Sequence, residues 1–325
     1  MPEARRAVIR RLYTNQHLLY RDTVPGTRLT GILSPVSNFM AKQIIPTVDI
    51  DRLNFYIDLD RYPIHELDGG AGKELVRRAH AMMKRDTLCL FEGFLREAAI
   101  KLLATEIAKL EPNAHQVDYL ATPYGWMNNA GFPADHPRSQ LPRRNCSVIS
   151  TDMLNPDGAG LELYGFDALT EFVRRLLRYD TLHRTVCPTL SVQVNVMRED
   201  DYFGWHFDTN DGVVSFTIQN PDNGGGFEYA PLIRDEANEN YAAVSRILDG
   251  SDTARQPVMS AGTFSLFLGR RSLHRVAPVG RTRHSRQSLL FSYDRNPAQV
   301  FPTETCRRLT SASPEPYLGA LTPLA

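Results

Sequence analysis

The stretch YFGWHFDTNDGVVSF, residues 202–216, places His206 and Asp208 two positions apart among aromatic and β-branched residues. Side chains alternate across a strand, so these two point to one face while Trp205 and Phe207 point to the other. A histidine and a carboxylate on one face of an apolar strand admit three readings. They form a metal site, an acid–base pair, or an ordinary hydrogen-bonded pair at a strand end. Choosing among these needs a third residue from elsewhere in the chain.

The surroundings of this stretch are β in texture. From about residue 188, TLSVQVNVMRE, GVVSFTIQ, GGFEYAP, TFSLFLG, LHRVAPV and RQSLLFSYD are short runs, several separated by turns such as NPDNGGG and VGRTR. Seven or eight such strands predict an antiparallel sandwich or jelly roll, interrupted by one helix near 238–250. The first half reads differently. KELVRRAHAMMKRD, residues 95–111 (stripe Ile100, Leu103, Ile107, Leu110) and residues 167–180 have helical periodicity, with Asp167 as expected N-cap. TLCLFEGF, 87–94, reads as a short strand. The fold class expected is α+β: a double-stranded β-helix (jelly-roll, cupin-like) core with helices from the N-terminal half packed on it. Along the chain we expect an N-terminal extension (1–80), a helical support region (81–184) with a long loop at 124–145, a jelly-roll catalytic core (185–300) and a C-terminal tail (301–325), forming one catalytic unit.

The best third ligand is His274, in the β-type run GRRSLHRVAPV. Two imidazoles and one carboxylate on one side of an ion make the facial triad of non-haem Fe(II) oxygenases. That set leaves room for a bidentate 2-oxo acid and for dioxygen. Such an acid needs a cation for its far carboxylate, and Arg286 in GRTRHSRQSLLFSYD enters an apolar strand with Ser288 on the same face. A guanidinium fork with a nearby hydroxyl suits a carboxylate. Arg281 and Arg283 fall in the turn and are expected to be solvated. HxD alone is a weak signal; HxD, a distal histidine and RxS together are a strong one.

These residues carry a resemblance. GWHFDTND, GTFSLFLGRRSLHRVAPV and RQSLLFSYDRNP resemble the Fe(II)/2-oxoglutarate-dependent oxygenases, and more narrowly the group of free-lysine halogenases and related amino-acid hydroxylases. The resemblance spans about 185–300 and thins from 85 to 184. It implies iron on His206, Asp208 and His274, 2-oxoglutarate on Arg286, and release of succinate and CO2. It also implies a departure. The halogenases carry a small residue where Asp208 stands here, which opens a site for chloride; a carboxylate implies hydroxylation, with desaturation or ring formation as the alternative outcome. The substrate implied is a small amino acid or a derivative of one, in a specialised-metabolite setting. A cupin-type isomerase or hydrolase is the competing class, but it has no use for an oxo-acid clamp.

Further residues are candidates of lower rank. SVQVNVM alternates strictly, with Val192, Val194 and Val196 on one face and Gln193 and Asn195 on the other; Asn195 is expected to touch the co-substrate. Ser215, Thr217 and Gln219 line the cavity or face solvent. Trp126 and Asn128, in the long loop, are candidate substrate contacts, as are Thr209, Asp211 and Tyr229. The glycine run before Tyr229 lacks a following GK[ST] and reads as a tight turn or bulge.

Composition narrows the partners. The 325 residues carry 37 Lys plus Arg and 37 Asp plus Glu, a balance that disfavours nucleic acid as a partner. No apolar run approaches the ~20 residues that span a bilayer. The four cysteines show no CxxC, which argues against a zinc finger or disulfide framework and fits a cytoplasmic protein.

Overall fold

The computed structural model describes residues 49–209 and 213–319. Helices α1 (Ile50–Tyr56), α2 (Gly70–Asp86) and α3 (Glu97–Leu110) come first, with strand β1 (Leu88–Phe91) before α3. Strands β2 (His115–Leu120) and β3 (Arg143–Ile149) lead to α4 (Ala159–Gly165) and α5 (Asp167–Leu177). Then follow β4 (His183–Arg184), β5 (Val192–Met197), β6 (Tyr202–His206), β7 (Val213–Gln219) and β8 (Phe227–Ala230). Helix α6 (Tyr241–Leu248), β9 (Phe264–Phe267), β10 (Leu273–Val276), β11 (Arg286–Asp294) and α7 (Thr303–Arg308) complete the order.

The helices form where the apolar period allows them. On α5, Leu169, Phe172, Val173 and Leu176 recur at three- and four-residue steps and are all buried. Asp167 is the first helical residue, and Phe166 takes the cap position that Asp167 was expected to hold. From there the Asp167 carboxylate pairs with Arg184 at 2.9 Å. On α3, Ala99, Leu103 and Ile107 are buried, with Ile100 and Leu110 packed alongside.

The strands form one antiparallel sheet ordered β1-β9-β7-β11-β5-β3-β6-β10-β8, with β2 added to β3 and β4 to β11. Strict alternation makes it two-faced. Val192, Val194, Val196, Val214, Phe216, Phe264, Leu266, Leu289 and Phe291 point to the helices and share one core with them. Gln193, Asn195, Ser215, Ser265, Ser288 and Leu290 point the other way, into a cavity. The sheet curls until its ends meet: Leu88 of β1, Tyr229 of β8 and Phe267 of β9 share an apolar cluster. The Phe227 and Phe267 rings close this seam edge to face, 5.3 Å apart. The architecture is thus α+β, a jelly roll with helices on its outer face.

Four strands, β1 to β4, come from the 81–184 stretch expected to be helical support, and β3 lies inside the sheet between β5 and β6. The long loop ends at residue 142, since Arg143–Asn145 already belong to β3. The C-terminal stretch runs beside β2. Tyr317 N–H donates to Leu120 O, Ser313 N–H to Asp118 O, and Thr122 and Asn129 N–H to Tyr317 and Leu318 carbonyls.

Candidate metal and co-substrate site

Strand pairing explains why residues far apart in sequence meet. In the β6–β10 ladder His274 is the direct partner of His206. Their rings lie 4.1 Å apart, centroid to centroid. Asp208 follows the end of β6, where its N–H donates to Gly269 O at 3.1 Å. Its Oδ1 lies 3.8 Å from His206 Nε2 and 3.5 Å from His274 Nε2. One ligand atom from each of the three lies within 4.8 Å of the others, and this is the one such His/Cys/Asp/Glu group found among the described residues.

The donor set fits a divalent ion. His206 Nδ1 lies 2.9 Å from Gly204 O, and His274 Nδ1 lies 3.0 Å from Ser272 O. In each case the carbonyl two residues back accepts a hydrogen bond from Nδ1–H, which fixes the tautomer and leaves the Nε2 lone pair free. Burial, aided by His274 and Arg144, holds the His206 imidazole well below its ordinary pKa, so it is neutral and able to coordinate. Gly269 is needed at this spot, because a Cβ there would overlap the Asp208 carboxylate.

The second group is the Arg286–Ser288 pair on β11. Arg286 is 8% exposed, not a surface arginine. Its Nε donates to Gly225 O at 2.9 Å and its Nη1 to Ser288 Oγ at 2.8 Å. Burial pulls its pKa down to about 10, so it remains a cation at neutral pH. The glycine run thus supplies a carbonyl to this arginine. Gly225 sits at φ +65°, and a Cβ there would lie 3.2 Å from Arg286 Cδ. Asn195 is the cross-strand partner of Ser288 and lines the same cavity. Arg283 is exposed and paired with Asp222 at 3.1 Å.

The cavity has a volume of about 270 Å³ and is lined by all three triad residues, Arg286, Ser288, Asn195, Trp126 and Thr209. Two expected substrate residues lie off it. Asn128 is exposed and closes a local turn, its Oδ1 accepting from Ala130 N–H. Tyr229 is buried in the seam; Phe227, two residues earlier on the same face, lines the cavity instead. Asp211 lies outside the described residues. Of the residues that sequence reasoning did not single out, Arg144 and Arg308 line the cavity, and Gly225 and Gly269 shape it. Arg144 sat in what read as loop and Arg308 in what read as tail, so neither carried a sequence signal.

A curled antiparallel sheet with two imidazoles and a carboxylate gathered at its cavity defines the Fe(II)/2-oxoglutarate-dependent oxygenases, which use Fe(II) as cofactor and 2-oxoglutarate and dioxygen as co-substrates. Within that superfamily the chain belongs to the halogenase D family, whose model matches residues 71–305. Solved structures similar to it include a 2OG-Fe(II) oxygenase family oxidoreductase from Burkholderia pseudomallei, at 16% identity over 68% of this chain and 91% of that one, with a TM-score of 0.44. AviO1 from Streptomyces viridochromogenes Tue57 is similar at 14% identity, covering 70% and 97%, TM-score 0.48. A Pseudomonas putida prolyl-4-hydroxylase is similar at 14% identity, covering 68% and 99%, TM-score 0.41. No curated protein matches the chain. Among the described residues, no helix is long and apolar enough to cross a membrane.

Proposed function

We propose that this chain hydroxylates an unactivated C–H bond of a small amino acid or amino-acid-derived metabolite. In this reading His206, Asp208 and His274 hold the iron. Arg286, with Ser288, holds the far carboxylate of 2-oxoglutarate, and Asn195 contacts the same molecule. When bound, Fe(II), 2-oxoglutarate and dioxygen together supply an oxidation that yields succinate, CO2 and one oxygen atom for the substrate. The chain's own part is positioning. Gly204 and Ser272 carbonyls accept from the two Nδ1–H groups and so aim both imidazoles, and Gly225 O fixes the Arg286 fork before the co-substrate arrives. Phe203, Phe227 and Phe267 give the cavity around His206 and His274 apolar walls that exclude water.

The observation that carries hydroxylation is Asp208. The halogenases that the sequence resembles keep a small residue there for chloride. Here the carboxylate lies within 3.8 Å of both imidazole Nε2 atoms. The cavity, at about 270 Å³, lies near the low end of the ~300–1,000 Å³ of small-molecule sites, which supports a small substrate. The test is anaerobic loading with Fe(II), addition of 2-oxoglutarate and dioxygen, and a screen of amino acids. The expected readout is substrate-dependent succinate and a product heavier by one oxygen atom. Transfer of chloride, or silence with amino acids but turnover of a peptide, refutes the proposal.

A further inference from the structure

The charges that face the cavity are unbalanced. Asp208 is the one carboxylate among its described lining residues, against the guanidinium groups of Arg143, Arg144, Arg286 and Arg308. Two of these cations are accounted for. Arg143 pairs with Asp118 at 2.6 Å, and Arg286 is the proposed co-substrate clamp. Arg144 and Arg308 have no carboxylate partner among the described residues.

Each of the two is seated firmly. Arg144 Nη1 donates to the Tyr119 hydroxyl at 2.7 Å, and its Cζ lies 3.2 Å over the Phe203 ring. Phe203 in turn packs on His206, at 4.4 Å between ring centroids, so Arg144 stands one aromatic ring from the triad. Burial pulls the Arg144 guanidinium below its ordinary value, and the nearby Arg308 charge adds to this. Arg308 comes from a different element, α7, whose neighbours Phe301, Thr305 and Leu309 also line the cavity. Its Cζ stacks 3.6 Å over Tyr317, and its Nε is buried with no hydrogen-bond partner. Tyr317 is itself pinned to β2 by its N–H bond to Leu120 O. Two half-buried guanidinium groups, each stacked on an aromatic ring and neither within ion-pair distance of a carboxylate among the described residues, offer two anchors for anionic groups.

We infer that the substrate is a small dianion, with one carboxylate held by Arg144 and a second oxyanion, carboxylate or phosphate, held by Arg308. This deepens the hydroxylase reading and rests on it for the reaction. It also turns the specificity away from a basic side chain. A side-chain ammonium would meet these two cations, and the one described lining carboxylate, Asp208, is already claimed by iron.

The test uses the full chain loaded with Fe(II) and 2-oxoglutarate under argon, with binding measured by calorimetry for L-aspartate, O-phospho-L-serine, L-leucine and L-lysine. Aspartate or phosphoserine is expected to bind about tenfold or more tighter than leucine, the scale of one charge-assisted contact, with lysine weakest. The better of the two acidic probes tells carboxylate from phosphate at Arg308. Arg308→Met is expected to erase the gap between the acidic probes and leucine, and Arg308→Lys to restore part of it. Arg307→Met, on the outer side of α7 where Arg307 pairs with Glu304, is expected to leave it intact. Equal binding of aspartate, phosphoserine and leucine, or a preference for lysine, overturns the inference. So does an Arg308→Met variant that folds and keeps the full preference. Succinate release on admitting air separates the two claims. Selective dianion binding without any succinate would sink the hydroxylase reading and keep the dianion site; turnover of lysine or leucine untouched by Arg308→Met would do the reverse.

Discussion

His206 and His274 are turned by the same device: each ring donates its Nδ1–H to the carbonyl two residues back in the chain. Being local to the backbone, that device survives loss of the ion, so the proposed ligands are preorganised. We therefore expect His206→Ala and His274→Ala to abolish stoichiometric iron uptake, measured by metal analysis, while urea unfolding still shows a folded protein. Gly269 gives a sharper test. A Cβ there would overlap the Asp208 carboxylate, so Gly269→Ala must push the carboxylate off its place. Iron affinity is expected to fall by ~10–100-fold, the usual cost of disturbing a ligand's support, without loss of any ligand. Unchanged affinity in Gly269→Ala would mean that Asp208 does not reach the ion. The three proposed ligands and the Arg286–Ser288 pair were legible because period-two alternation says which side chains share a face. Gly269 and Gly225 were not, because each is required by a side chain arriving from another part of the chain, and only the folded arrangement reveals that neighbour.

Helix α5 shows how the support layer is tied down. Glu171 accepts from Arg174 Nε at 2.6 Å and Arg175 Nε at 2.8 Å, and Arg175 also reaches Asp68. Hydrogen bonding from Arg174, reinforced by Arg175, lowers the Glu171 carboxyl to about 2. A depressed carboxyl stabilises the fold above its ordinary value of ~4.3, and that contribution is lost as pH falls towards 2. Glu171 is partly exposed, so the contribution is about 0.5 kcal/mol. Glu171→Gln is expected to lower the urea midpoint slightly at neutral pH and to lose less stability than the parent between pH 4.5 and 2, compared in urea titrations across that range. Helix α7 offers a second test. Cys306 lies on it, and its Sγ is 3.7 Å from Cys187 Sγ. Mild diamide treatment is expected to join them, seen by mass spectrometry as loss of two hydrogens within one chain. A cross-link between chains, or none, would contradict that placement. The helices and the alternating strands could be read from periodicity, since each buries one stripe or one face. The thiol pair and the strand order could not, since both depend on non-local closure that spacing does not encode.

The curl of the sheet divides the protein into two tasks that a single strand can separate. On β9, Phe264 points to the helical side, where it meets Phe91, Phe94, Phe172 and Phe216 with ring centroids between 4.9 and 6.0 Å. Phe267, three residues later, points to the cavity and meets the His274 ring at 4.8 Å and the seam residues Phe227 and Tyr229. Phe264 is fully buried, so Phe264→Ala removes a large side chain from a close-packed cluster and is expected to cost about 3–5 kcal/mol. That is a large share of the ~5–15 kcal/mol that holds a typical domain together, so the variant should fold but unfold at much lower urea. The triad sits on the opposite face, on β6, just past its end and on β10, and iron affinity in the folded Phe264→Ala protein should stay within about threefold of the parent, less than 1 kcal/mol. Phe267→Ala should reverse the pattern. Its ring lies at the seam, where neighbours can relax towards the cavity, so the stability loss should be the smaller of the two. Without that ring His274 loses its edge-to-face support, water reaches the imidazole, and iron affinity should fall by more than in Phe264→Ala. Urea curves and iron titrations on the two variants check this directly. If both lose stability and iron in the same proportion, the two faces of the sheet are not separable and the cavity is simply another part of the core.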